Sequence, residues 1–159
     1  MRILNLALVF FAGLFVQWVW STYWTAWELA PQILLVLAVA LASREGPVLA
    51  LSFAFLWGLF YDVLRVHLFG AQALMLTGIV YAVGLVRRQI DVSSLLPQAM
   101  LLAAISFLYF PSLALVGLMF EGHGFWAGWK QFLLTPFFNC AVAAPCFLFV
   151  ERFTQKHDF

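Results

Sequence analysis

Long apolar stretches separated by short polar punctuation run the length of this 159-residue chain. Ile3 to Ser21 is the first, about 20 residues, the length a ~30 Å hydrocarbon core requires. Trp18, Trp20, Tyr23, Trp24 and Trp27 follow as an interfacial aromatic belt. Pro31 ends a short connection, and the apolar run Ile33 to Ala42 is brief enough to suggest a partial or strongly packed segment. Ser43-Arg44-Glu45-Gly46-Pro47 has turn composition, with Pro47 suited to the first turn of the next helix. That helix ends near Arg65, and a link through His67 and Gly70 leads into Ala71 to Arg87. Leu95 to Phe120 is long enough to span with tilt, and Pro111 should kink it. After a loop at Glu121-Gly122-His123-Gly124 come Trp126 and Trp129, then a last span containing Pro136, Asn139 and Pro145. The pattern predicts helices over 3–21, 32–43, 47–65, 71–87, 95–120 and 129–151.

Composition turns this pattern into a class. The chain is 65% hydrophobic and 9% charged, whereas a soluble domain carries about 25% charged residues. It is therefore expected to be an all-α integral membrane protein, with residues 1–159 forming one transmembrane domain surrounded by lipid. The first helix resembles a signal peptide in position. Its apolar run is too long, however, and aromatics stand where a small-residue cleavage site would be, so it is expected to stay attached.

Counting gives six helices if Ile33 to Ala42 crosses and five if it does not. Charge placement favours six. With a cytoplasmic N-terminus, Arg2, Arg44, Arg87, Arg88, Arg152 and Lys156 all face inward, leaving Arg65 and Lys130 outside. Both termini are then cytoplasmic, and the two Trp clusters share the outer surface. A net charge of +1 offers no basic stripe, so nucleic acid is excluded as a partner.

Few residues carry candidate chemistry. His67, His123 and His157 lie on separate loops or tails, and no CxxC, HExxH or paired-His spacing occurs, so no metal or cofactor is expected. Cys140 and Cys146 would lie roughly 9 Å apart along a helix, too far for a disulfide. No GxSxG, phosphate loop or convergent set of titratable groups points to an enzyme. The span interiors are expected to offer only Asp62 and Asn139, too few for an ion path or proton relay.

Asp62 is the costly residue. An acid at the centre of a membrane helix costs about 2.5–3.5 kcal/mol, which the eight neighbouring apolar residues between Val48 and Phe60 offset by about 4. Such an acid reads either as a buried functional group or as an interfacial partner of Arg65. Ahead of it, Ala50, Ala54 and Gly58 repeat every four positions, a small-residue row that lets helix backbones approach closely. That row can serve a partner's helix on a lipid-exposed face or pack inside the bundle. Asn139 is expected to hydrogen-bond to another helix.

Ala30-Pro31 before an apolar run, Gly58-Leu59-Phe60-Tyr61-Asp62, Phe69-Gly70-Ala71-Gln72-Ala73-Leu74 and Asn139 through Pro145 together resemble the rod shape-determining protein MreD family. Gln32 departs from the Asp or Asn that often follows the family's proline. The resemblance implies a non-enzymatic component of the bacterial inner-membrane elongation machinery, supporting peptidoglycan synthesis and cell shape. It would bind the bitopic protein MreC and act with RodA, a class B penicillin-binding transpeptidase and MreB. It further implies a six-helix fold like that of the substrate-binding components of energy-coupling-factor transporters. The alternative function is accordingly a vitamin-binding transport subunit. The Ala-x-x-x-Ala docking row of those subunits is missing, since Phe11 follows Ala7 and Val16 follows Ala12. Ala50, Ala54, Gly58, Asp62, Gly70, Asn139 and Pro145 are the candidate partner-binding or buried functional residues.

Overall fold

A computed structural model describes residues 2–23, 32–64, 69–87, 95–122, 124 and 128–154. These form six helices: α1 (Arg2–Tyr23), α2 (Ile33–Arg44), α3 (Pro47–Leu64), α4 (Ala71–Arg87), α5 (Leu95–Glu121) and α6 (Trp129–Thr154). Each lies within a few residues of its expected span. Trp24, Trp27, Pro31, Arg65, His67, Arg88, His123, Trp126, Lys156 and His157 fall outside the described residues. Helices α1, α5 and α6 are long and apolar enough to cross a membrane, while α2, α3 and α4 are shorter apolar helices. Helical structure continues through the internal prolines: α5 runs on past Pro111, and α6 past Pro136 and Pro145.

The core is α2. Helices α1, α3, α4, α5 and α6 pack on one another in a closed circuit, and α2 packs against α1, α3, α4 and α6. Every residue from Ile33 to Ala42 is buried, none more than 5% exposed. An apolar surface on all sides, with no polar stripe to present to water, is what a central helix needs. At 12 residues α2 is about 18 Å long, well short of a ~30 Å hydrocarbon core. The short apolar run, which by sequence reads as either a partial or a strongly packed segment, is thus the hub of the bundle.

On one side α1 and α3 lock through aromatic rings. Trp57 is fully buried, its indole Nε1 donates to the Phe10 carbonyl at 3.0 Å, and its ring stacks on Phe10 with centroids 5.9 Å apart. Phe53 meets Phe10 edge-on at 5.6 Å. The indole N–H finds its partner inside the bundle, as a buried tryptophan requires.

Helices α3 and α4 form the most intimate pair. Ala50, Ala54 and Gly58 are all buried, so the small-residue row serves internal packing and presents no lipid-exposed face. A Cβ built on Gly58 would lie 2.2 Å from the Ala73 Cα and 2.5 Å from the Ala73 nitrogen. Only hydrogen fits there. Gly70, just before α4, takes φ +93°, a backbone conformation that residues with a Cβ rarely adopt.

These contacts set an expectation for two glycines. Gly58→Ala forces backbone against backbone and should destabilise the bundle by about 1–3 kcal/mol, read as a lower melting temperature and aggregation in detergent gel filtration. Gly78→Ala, whose Cβ would meet nothing within 4 Å, should leave both unchanged.

Candidate functional site: a line of buried polar groups

A helix leaves its first N–H groups without intrahelical acceptors, and a buried donor left unpaired costs about 1–3 kcal/mol. Three of the buried polar side chains, Asp62, Asn139 and Gln17, stand at such ends. Asp62, near the end of α3 and 6% exposed, receives three backbone N–H groups at the start of α4. Its Oδ2 accepts from Gly70 at 3.0 Å and Ala73 at 3.2 Å, and its Oδ1 accepts from Gln72 at 3.1 Å. The carboxylate therefore sits at the positive end of the α4 dipole, in the geometry that helix N-termini offer to anions. Burial with backbone donors, rather than an exposed interfacial position, is the outcome for this acid; Arg65 lies outside the described residues. Gly70 belongs to the same cluster, because its positive φ accompanies a donor aimed at Asp62.

From Gln72 the line continues across the bundle. Its side-chain Oε1 accepts the Tyr109 hydroxyl of α5. One turn earlier on α5, Ser106 Oγ accepts Asn139 Nδ2 of α6 at 2.9 Å. Asn139, fully buried, accepts the Gln32 N–H through Oδ1 at 2.8 Å, just ahead of α2. The two contacts fix the amide's orientation, because only its oxygen can receive a backbone N–H. Two residues on, the Leu34 N–H donates to Gln17 Oε1 of α1 at 3.3 Å. All six helices contribute to this line. Gln32 Oε1, beside it, is a buried acceptor without a partner among the described residues.

The far end of α2 is held by charge. Arg87 Nη1 of α4 donates to the carbonyls of Ala42 and Glu45, both at 3.0 Å. A cation on the last carbonyls of a helix is favourably placed against its dipole. Arg44 pairs with Glu151 of α6 at 3.1 Å.

Of the residues singled out from sequence, the structure joins Asp62 with Gly70, puts Gly58 beside them at Ala73, and places Asn139 further along the same line. Ala50 and Ala54 are buried on α3, away from it, and Pro145 lies exposed on α6. Asp62 and Asn139 are not the only polar groups inside: Gln17, Gln98, Ser106 and Thr135 are buried too. Uncharged and embedded in strongly apolar runs, they barely change a hydropathy average. Their signal is a polar residue within a span, the one that singles out Asn139.

The fold and its polar line define a membrane helical bundle whose internal hydrogen-bonding groups hold its own helix ends. The chain belongs to the rod shape-determining protein MreD family, whose model matches residues 1–157. The family ties the chain to rod shape determination and is one of structural proteins rather than enzymes. No curated protein and no solved structure matches the chain.

Removing an acceptor from this line should be costly. Asp62→Leu strands three N–H groups at about 1–3 kcal/mol each, yet it favours insertion. The variant should reach the membrane at normal abundance and show a strongly lowered melting temperature. Asp62→Asn, which keeps one acceptor oxygen, should fall between it and the native protein. Equal melting of all three would mean that the carboxylate is idle.

Proposed function

We propose that this chain is a non-enzymatic scaffold of the cell-elongation complex, crossing the bacterial inner membrane six times with both termini in the cytoplasm. In this reading residues 1–159 form one transmembrane domain that binds an MreC-like bitopic protein. Through that complex it supports peptidoglycan synthesis by RodA and a class B penicillin-binding transpeptidase, in register with MreB. The observation that carries the reading is the family match over nearly the whole chain. The geometry adds support of its own kind, because Asp62, Asn139 and Gln17 are occupied in closing helix ends. Groups so engaged suit a rigid platform better than a reaction centre. Kinship in fold with the substrate-binding components of energy-coupling-factor transporters belongs to this proposal, supported by the six-helix arrangement.

With Ala50, Ala54 and Gly58 turned inward, partner binding falls to the outer faces of the surrounding helices. Asp62, Gly58, Gly70 and Asn139 then act on partners indirectly, by holding those faces in place. Pro145, exposed on α6, remains available for direct contact.

Native-membrane co-purification tests the function: an MreC-like bitopic protein should accompany the chain at near-stoichiometric yield. Recovery of ATP-binding cassette subunits in its place would overturn the scaffold reading. Topology is tested separately in a Cys140→Ala, Cys146→Ala background. Lys130→Cys should react with membrane-impermeant maleimide in intact spheroplasts and Arg152→Cys should not; the reverse pattern would invert the orientation.

A further inference from the structure

Helices α3 and α4 touch backbone to backbone at Gly58 and Ala73, but toward Pro47 and Arg87 they enclose open space. A cavity of about 460 Å³ lies there, within the size range of small-molecule sites. Its walls are apolar, formed by Ala50 and Leu51 of α3 with Val80, Tyr81 and Leu85 of α4. Gly84 forms part of the floor, and a Cβ built on it would meet nothing within 4 Å. At the rim stand Arg44, Glu45 and Arg87, where α2, α3 and α4 all reach the charged end of the bundle.

We propose that this groove holds one phospholipid, with an acyl chain between α3 and α4 and the phosphate on the Arg87 guanidinium. Three features of the rim and walls point to that occupant. The first is an apolar slot that opens directly beside a fixed cation, the arrangement by which basic pockets between membrane helices take lipid head groups. The second is how Arg87 is held. Its Nη1 is committed to the Ala42 and Glu45 carbonyls, which anchors the planar group while Nη2 and Nε have no acceptor among the described residues. Such a fork matches two phosphate oxygens. The third is the balance of charge. Arg44 is already paired with Glu151, so among the described rim residues Arg87 alone presents a cation to the groove. The occupant therefore carries a single phosphate.

The groove between α4 and α5 supplies a built-in comparison. It is smaller, about 290 Å³, and Gly78 lines it with equally open space beyond its Cα. Its polar lining groups are the hydroxyls of Tyr109 and Ser112, which already donate to Gln72 and Leu108.

Delipidated protein in detergent, titrated with phosphatidylglycerol and followed by native mass spectrometry, tests the assignment. The native chain should acquire one saturable adduct. Gly84→Leu fills the slot without a backbone clash and should weaken that adduct at least tenfold, whereas Gly78→Leu should leave it unchanged. Diacylglycerol, which offers the same chains without the phosphate, should bind at least tenfold more weakly than phosphatidylglycerol. Undiminished binding to Gly84→Leu, loss confined to Gly78→Leu, equal binding of diacylglycerol, or no saturable adduct at all would each overturn the proposal. The last result would fit a groove reserved for a partner's helix. The diacylglycerol comparison uses the native chain alone and stands even if Gly84→Leu folds poorly.

Discussion

Everything in this bundle depends on closing the ends of a helix too short to span a ~30 Å hydrocarbon core. Helix α2 is 12 residues long, and its terminal peptide groups cannot all escape to water. Inside hydrocarbon each unsatisfied group costs several kcal/mol. The surrounding helices supply what is lacking: Asn139 and Gln17 at its start, Arg87 at its finish. An amide oxygen receives N–H groups without introducing charge deep in the bundle. A guanidinium donates to carbonyls where the chain returns to the charged end. Position along the helix decides which chemistry is used.

Asp62 solves the same problem for α4 with a full charge. A buried carboxylate is tolerable when hydrogen bonds and a helix dipole surround it, and three backbone N–H groups meet both conditions here. The close contact of Gly58 with Ala73 is the geometric counterpart. Unless the two backbones approach that nearly, the carboxylate on α3 cannot span the gap to the first turn of α4. Small residue and acid, four positions apart, act as one device.

Much of this was legible in the sequence. Apolar run lengths with Pro and Gly punctuation located the six helices, and the brevity of Ile33 to Ala42 suggested a partial or tightly packed segment. Asp62 and Asn139 stood out because polar groups in apolar runs are expensive. Most of their partners were not legible, because, Ser106 apart, they are backbone N–H groups, which every residue except proline carries and no sequence pattern marks. The inward direction of the Ala50, Ala54 and Gly58 row was equally hidden. Small residues permit close approach but do not say to which helix. Trp57 reads as one more apolar residue in a run, and its bond to the Phe10 carbonyl depends on a neighbour 47 positions away.

The two closures differ in how far along the chain they reach, and this bears on assembly. Asp62 binds donors 8, 10 and 11 residues ahead, so the α3–α4 hairpin can satisfy itself as soon as α4 emerges. The start of α2 depends on Asn139, 107 residues further on. A nascent chain that has delivered five helices still holds its central one with an open amide. Release of the sixth supplies the missing acceptor, so synthesis order makes α6 the bolt that secures the hub from outside.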